Sequence, residues 1–531
     1  MNMSHFIFAR PLFDREKLYF AAKNCDPNDL PTSIRSENII RKLLASQVDP
    51  GWTDENGYTS LMWAAAWGHE EIVEMLVSAD ANLEAQDNYG RTALFWAAEE
   101  GKLEVVRTLL AAGADVESKA WGGKTILSKA CKEGHTAVVE LLLQSDADIN
   151  CFDNTGCTAL IYAAKKGHTE ITRMIMGQME PIIFSPDAAK DMNNEGGMLP
   201  LRHLDVGDIK DKPFGRTALI WSARNGHSEV TDLLVAGGVW VDGQDNFGFT
   251  ALIFACFYGH VAITRILIAS GATMEARNRS GNTALMEACK EGHAGCVALL
   301  LAAGADTEAK DEYGYSALMY SSRNGHLDCA KLLVEANANK DVRGKDGNNP
   351  LIICAMQHVG CEIVRLLLES NIYLEGRDKA YGRTAIIWAS KMGNVEILRM
   401  LLNAGANINA KDVNGRSALM MASKEGQADC VALLLSDKAD PTVRDNEGLT
   451  AVDLSEQPEQ IVRTSRSTEN DDNFEVIYAE ISSMIRESMN VDNATNDLDL
   501  GSSQVERMEV EAEKPEVPEI DSTSDGSLPE E

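Results

Sequence analysis

The chain has no apolar run long enough to cross a membrane, no Cys-x-x-Cys pair and no cluster of basic residues. Each absence removes a class of function. A spanning helix needs about 20 successive apolar residues, so membrane insertion is not expected. The start, Met1-Asn2-Met3-Ser4-His5, lacks the charged and apolar regions of a secretory leader. A cytoplasmic protein is expected, with the nucleus open to it. Positive charge is scarce: 49 Lys and Arg stand against 81 Asp and Glu, for a formal net charge of −32. That balance opposes a phosphate backbone, and no basic–aromatic module is present, so nucleic acid is not an expected partner.

Catalytic signatures are missing too. No Gly-rich loop ends in Lys-Ser/Thr, and no Gly-x-Ser-x-Gly elbow occurs. His69-Glu70-Glu71-Ile72-Val73 lacks the second histidine of a zinc protease helix. Seven of the ten histidines share one repeated slot: His69, His135, His168, His227, His260, His293 and His326. Side chains one repeat apart are a whole layer apart, too far to close a metal shell. The eleven cysteines follow the same logic. Cys131, Cys256 and Cys289 take a slot that elsewhere holds Ala65, Ala98 or Ala164, and Cys296, Cys329 and Cys430 share another. Small buried thiols in a reducing compartment are the reading. No catalytic residue, metal or cofactor is expected.

What the chain does have is a phrase, Asp-x-x-Gly-x-Thr-Ala-Leu, that returns about every 33 residues. Its clearest copies begin at Asp54, Asp87, Asp153, Asp245 and Asp311. Of the eleven spacings between turn glycines from Gly57 to Gly448, nine are 33; the others are 59 (Gly156 to Gly215) and 35 (Gly347 to Gly382). A fixed period of this size marks stacked units that cannot stand alone. Within one unit, Asp87 and Gly90 make a turn, and Thr92 has the chemistry of a helix N-cap. Ala93 to Ala98 forms a short apolar helix, and Val105, Val106, Leu109 and Leu110 give a second helix its buried face.

This unit resembles the ankyrin repeat. The likeness runs from about Asp54 to Leu454, in eleven coherent copies. The family tetrapeptide Thr-Pro-Leu-His is present as Thr92-Ala93-Leu94-Phe95 or Thr217-Ala218-Leu219-Ile220, and Gly68-His69 and Ala303-Gly304-Ala305-Asp306 match other landmarks. The resemblance implies an all-α ankyrin-repeat solenoid of helix-turn-helix units with β-turn tips. Residues 1–53 are expected to form a degenerate N-terminal capping repeat, with helices around Leu18–Ala22 and Ile39–Leu44. The array is expected over 54–456, about eleven repeats and a partial C-terminal cap.

Two segments break the period. An insertion at 177–212 adds 59 − 33 = 26 residues and holds Pro181, Pro186 and Pro200, the composition of an excursion loop. Two further residues are expected in a longer inter-helix turn near Gln357-His358-Val359. Residues 457–531 form an acidic tail, expected to be mostly disordered; from Ser467 onward it has 19 acidic and three basic residues. Within it, Phe474, Ile477, Ile481, Met484 and Ile485 recur at helical spacing over 474–489. Such a helix could dock on a partner or on the array's own end, or the segment could stay unstructured.

In the family pattern, binding uses the turn tips and first-helix ends of the concave face. Carried over, the tips supply Tyr58, Tyr89, Arg91, Trp121, Lys124, Phe214, Arg216, Phe247, Phe249, Tyr313, Tyr315, Tyr381 and Arg383. The helix ends supply Trp67, Lys165, Lys166, Arg224, Phe257, Tyr258, Arg323 and Lys391. Aromatic residues and arginine dominate binding hot spots. Across all such slots, Arg279 and Lys345 included, 15 residues are basic and nine acidic, on a strongly acidic chain. The expected function is a non-enzymatic interaction scaffold that grips an extended acidic or mixed segment of a protein partner. The acidic tail could dock there intramolecularly. The alternative is a substrate-recognition adaptor whose tail recruits an enzyme complex. A second aromatic series, Trp63, Trp96, Tyr162, Trp221, Phe254, Tyr320 and Trp388, sits inside the first helix and is read as core.

Overall fold

The structure, a computed structural model, describes residues 4–25, 30–178, 208–357, 360–456 and 476–490. Most of the insertion, His358-Val359, Phe474 and the tail beyond 490 lie outside the described residues. By contact density the chain divides into two compact units, Met1–Gly344 and Lys345–Glu531.

The first unit opens with helices Ser4–Lys23 and Leu30–Ala45, followed by eight helix pairs from Ser60–Trp67 and Glu70–Ser78 to Ala317–Asn324 and Leu327–Glu335. The pair at Ala93–Glu99 and Leu103–Ala111 shows why each unit folds this way. Thr92 has extended backbone angles, and its hydroxyl accepts the Phe95 N–H at 3.3 Å. That satisfies one of the donors a helix start leaves open. Val105, Val106 and Leu109 are buried on the second helix, opposite Leu94, Phe95, Ala97 and Ala98 on the first. Each fully buried Val, Leu or Phe contributes roughly 1.5–3 kcal/mol. Ala97 and Ala98 have nothing beyond Cβ, so the first helix of the next repeat can approach closely.

Successive repeats are tied by polar bonds as well as by apolar contact. At ten of the tips, the backbone N–H after the aspartate or its replacement donates to a carbonyl of the preceding tip. Examples are Asn88 to Asn56 (2.9 Å), Trp121 to Tyr89 (2.6 Å) and Asn246 to Phe214 (2.7 Å). Where the inserted segment ends, Lys212 N–H still reaches the Thr155 carbonyl at 2.7 Å, and the Asn225 amide donates to Lys165 O at 2.7 Å. The inserted residues therefore leave the stacking of their flanking repeats intact.

At the start of the first unit, the Tyr19 hydroxyl donates to Asp54 Oδ2 at 2.6 Å and accepts from Trp63 Nε1 at 2.9 Å. Burial, then the Asp54 carboxylate, pushes the hydroxyl from 10.0 up to about 12. A pKa raised by folding gives stability that is whole below the unfolded value and lost as pH rises through the folded one. The N-terminal helix pair is therefore expected to loosen between pH 10 and about 12. A Trp63-dependent fluorescence change in that window, absent in Tyr19→Phe, is the check; an identical transition in the variant counts against it.

The second unit contains pairs Pro350–Met356 and Cys361–Glu369, Ala385–Met392 and Val395–Asn403, and Ala418–Lys424 and Ala428–Ser436, then Ala451–Ser455. Here the period break is shared between two places. The second helix starts 14 residues after Gly347, against 13 after Gly382, so one extra residue lies in the inter-helix turn. The other is in the following tip, where the Gly382 N–H reaches back four residues to Asp378 O, against three from Gly415 to Asp412. A further helix over 476–490 lies against the last full pair. Ile481 and Ile485 are fully buried, Tyr478 is buried, and the hydroxyls of Ser455 and Ser482 are 2.7 Å apart. Arg486 forms an ion pair with Glu456.

Candidate functional site

The tips are organised by one carboxylate each. Asp87 Oδ1 accepts the N–H groups of Tyr89 (2.8 Å) and Arg91 (2.9 Å), and Asp245 Oδ1 does the same for Phe247 and Phe249. The other oxygen serves the first helix. Asp153 Oδ2 accepts from the Tyr162 hydroxyl (2.7 Å), Asp211 from Trp221 Nε1 (2.9 Å), Asp311 from Tyr320 (2.6 Å) and Asp378 from Trp388 (2.7 Å). Of the helical aromatics, Trp221, Phe254 and Trp388 are buried, and Trp63, Trp96, Tyr162 and Tyr320 are half-buried; where present, the bond to aspartate gives their polar ends a partner. Burial and the adjacent aspartate push the Tyr162 and Tyr320 hydroxyls well above their usual range.

This carboxylate also takes several arginines out of the accessible surface. Arg216 Nε is 3.1 Å from Asp245 Oδ2 of the next repeat, and Arg383 Nε is 3.4 Å from Asp412 Oδ2. These arginines are only 9 % and 6 % exposed. A partner could reach them only by breaking buried pairs, so their role here is structural. Arg91 is likewise engaged, with Asp87 at 2.8 Å and the Trp96 ring at 3.8 Å.

Position relative to the turn glycine sorts the aromatics. Those after it pack down on the first helix and are half-buried: Tyr58 on Trp63, Phe249 on Phe254, and Tyr315 on Tyr320, with ring centroids 5.2, 4.7 and 5.9 Å apart. The structure gives these three a packing role. Those before it stand outward: Tyr89, Phe214, Phe247, Tyr313 and Tyr381 are all exposed, as is Trp121. The sequence carried this signal in the one-residue offset from glycine, and treating both sides of the turn alike obscured it.

The helix ends carry a second tie. His135, His168, His227, His260, His293 and His326 place Nε2 2.8–3.3 Å from a carbonyl two residues before the C-cap glycine or its counterpart in an earlier repeat. Each histidine thus joins layers. At Gly134 (φ 88°), an added Cβ would stand 2.5 Å from the His168 ring, so that position requires glycine twice over. Lys424 O occupies the equivalent place in the last full repeat, and there the Tyr478 hydroxyl donates to it at 3.0 Å. The helix over 476–490 therefore does for the last repeat what a following histidine does for the others.

Among helix-end side chains, Lys166 and Arg323 are exposed, as is Trp67. Lys165 Nζ lies 4.0 Å from the Trp221 ring centroid, and Lys391 is paired with Glu425 at 3.7 Å. The most developed cluster surrounds Arg224. Its guanidinium is 5.5 Å from the Trp221 ring and 5.4 Å from the exposed Tyr258 ring, which in turn sits edge-on to Phe257 at 4.9 Å. Arg224 Nε is buried and has no hydrogen-bond partner. Its Nη1 donates to Asn225 Oδ1 at 3.2 Å.

Besides the repeat with Gly344 in the aspartate slot, two repeats depart from the tip scheme in ways sequence reading missed. In one, Asn278 replaces the aspartate and Glu287 the helical aromatic; Asn278 and Asn282 amides each donate to Glu287 Oε1 at 2.8 Å. Donor and acceptor have exchanged places while the bond survives. In the other, Ala120 replaces the aspartate and Lys129 the aromatic. Lys129 pairs with Glu99 at 2.8 Å and Glu133 at 2.7 Å, and holds the Glu133 carboxyl below its usual range. Among the described residues, no group of His, Cys, Asp and Glu could hold a metal ion, and no helix is long and apolar enough to cross a membrane.

A family profile described as ankyrin repeats (3 copies) matches residues 32–120, 118–182, 188–278, 270–344 and 351–445, well over half of the chain. Among solved structures, the crystal structure of the human ASB11 ankyrin repeat domain is similar at 28% identity, over 43% of this chain and 100% of that one, with a TM-score of 0.39. No curated protein matches.

Proposed function

The chain belongs to the ankyrin-repeat family, and on that premise we propose that it is a non-enzymatic scaffold whose turn tips and first-helix ends bind an extended, acidic or mixed segment of a protein partner. Ankyrin repeats mediate protein–protein interaction. The acidic character of the segment is supported above all by the Arg224 cluster. A half-buried guanidinium held between the Trp221 ring and the exposed Tyr258 ring suits a carboxylate flanked by an apolar group. The outward row of pre-glycine aromatics adds low-entropy contact area along the same face.

The test is selection of random 12-residue peptides displayed on phage against the full chain, followed by fluorescence anisotropy of single winners. Winners are expected to be rich in Asp and Glu and to weaken with salt. Arg224→Gln with Tyr258→Ala should lower their affinity at least ~tenfold, the scale of a lost charge-assisted bond, with helix content unchanged by circular dichroism. Peptides of neutral composition, or acidic ones indifferent to both changes, would remove the reading.

A further inference from the structure

The carboxylate row is interrupted at Ala120, and the interruption leaves an opening. A cavity of about 460 Å³ lies between Tyr89 and Trp121, with Arg91, Lys124, Lys129 and Glu99 in its wall. Arg216, Arg383 and Arg416 each reach 29 residues forward to the aspartate of the next repeat. The same step from Arg91 arrives at Ala120, so Arg91 turns back to its own Asp87. The tip N–H that such an aspartate accepts two residues on (Tyr89 for Asp87, Thr155 for Asp153) belongs here to Gly122, whose repeat offers no carboxylate. The helical aromatic that fills this space elsewhere is also missing, because Lys129 stands in its slot. Of the two other repeats without a tip acid, the one at Asn278 has Glu287 in the aromatic slot and the one at Gly344 has buried Ile353 there.

We propose that this cavity is a subsite for an aspartate or glutamate side chain of a bound polypeptide, which supplies the carboxylate that Ala120 lacks. Two cations in the wall suit a carboxylate: the Lys124 ammonium, and the Arg91 guanidinium, which keeps its own Asp87 at 2.8 Å but has no forward aspartate. Lys129 is already held by Glu99 and Glu133, and Glu99 is also 3.8 Å from Arg91, so Lys124 supplies the uncompensated charge. Lys124 is exposed and has no ion-pair partner among the described residues. The rings flank the opening: Tyr89 and Trp121 are edge-on at 6.3 Å, and Trp121 is 76 % exposed. They would cover the aliphatic part of the entering side chain and shield its charge from water. Trp121 is the most exposed of the chain's tryptophans.

The proposal rests on the reading that this face binds acidic polypeptide, but one test is independent of that reading. The full chain labelled with 5-fluorotryptophan is titrated with N-acetylglutamate α-amide or N-acetylglutamine α-amide at matched ionic strength, and the Trp121 resonance is assigned with Trp121→Phe. The glutamate compound is expected to move that line saturably and the glutamine compound not to move it. Ala120→Asp, which refills the place with a residue other repeats carry there, should weaken the response at least ~tenfold while preserving the fold. Lys124→Gln should weaken it less. Equal responses to the two compounds, or an unchanged response in Ala120→Asp, overturn the subsite. If Trp121 responds as expected while selected acidic peptides ignore Arg224 and Tyr258, the subsite stands and the broader face reading falls.

Discussion

Asp245→Ala is expected to destabilise the unit Met1–Gly344 by ~3–5 kcal/mol, the cost of stripping one partner from a buried ion pair. The side chain of Asp245 is fully buried and does three things: it accepts the Phe247 and Phe249 N–H groups and pairs with Arg216. Alanine removes all three bonds at once. Arg216 is left among the rings of Phe214, Trp221 and Phe254, each within 4.9 Å of its guanidinium carbon, with no carboxylate. Asp245→Asn separates these contributions. It retains an acceptor for the tip, as Asn278 does naturally, and loses only the charge, so about 1.5–3 kcal/mol is expected. Adding Arg216→Met to Asp245→Asn should recover part of that loss, because an apolar chain needs no counter-charge. Repeat arrays need not unfold in one step. The readout is therefore hydrogen exchange within Ala218–Asn225 and Ala251–Tyr258, beside the overall denaturant midpoint. A loss below ~1 kcal/mol for Asp245→Ala would mean that water reaches the pair and screens it.

The period made the repeated architecture legible because each layer repeats the same local solution. A Thr N-cap, a small-residue pair and a Val/Leu stripe identify the same two helices wherever they occur, and no long-range contact is needed to find them. The site was legible only at the level of the slot. Arg216 and Arg91 occupy the same slot, yet one is held by the next repeat's aspartate and the other by its own Asp87. That difference depends on a residue 29 positions away, beyond the reach of local pattern. Phe247 and Phe249 differ through a single step around a turn glycine, which reverses the direction of the side chain.

The irregular repeats teach the converse. Ala120 reads as a neutral substitution in one copy of a motif, and its meaning appears only when Arg91 is seen to lack the forward partner available to Arg216. Lys129 in an aromatic slot carried the same information. A repeated pattern states what each position normally does, so a departure identifies which bond has lost its partner. Comparing the slots along the array could have found both departures; reading each repeat by itself could not.

Ile481→Asp is expected to detach the helix over 476–490 and to loosen the last full repeat behind it. The side chain is fully buried, and a carboxylate placed there would lose its hydration. The effect should saturate. Once the helix is off, Ile485→Asp adds little, since two residues on one detachable element act as a unit. The total loss is therefore limited to the free energy of docking. Burial of Ile481, Ile485 and Tyr478 is what holds the segment on the repeat. Tyr478→Phe is expected to be milder, about 1 kcal/mol, because it leaves the Lys424 carbonyl without its donor but keeps the apolar contact. In a stack where each layer touches only its neighbours, the damage should stay local. Exchange should accelerate in Ala418–Lys424, Ala428–Ser436 and Ala451–Ser455, while Pro350–Met356 stays protected. Unchanged protection of Ala418–Lys424 in the Ile481→Asp chain would show that the helix rests on the repeat without supporting it, and that the Tyr478 bond is no substitute for the histidine tie.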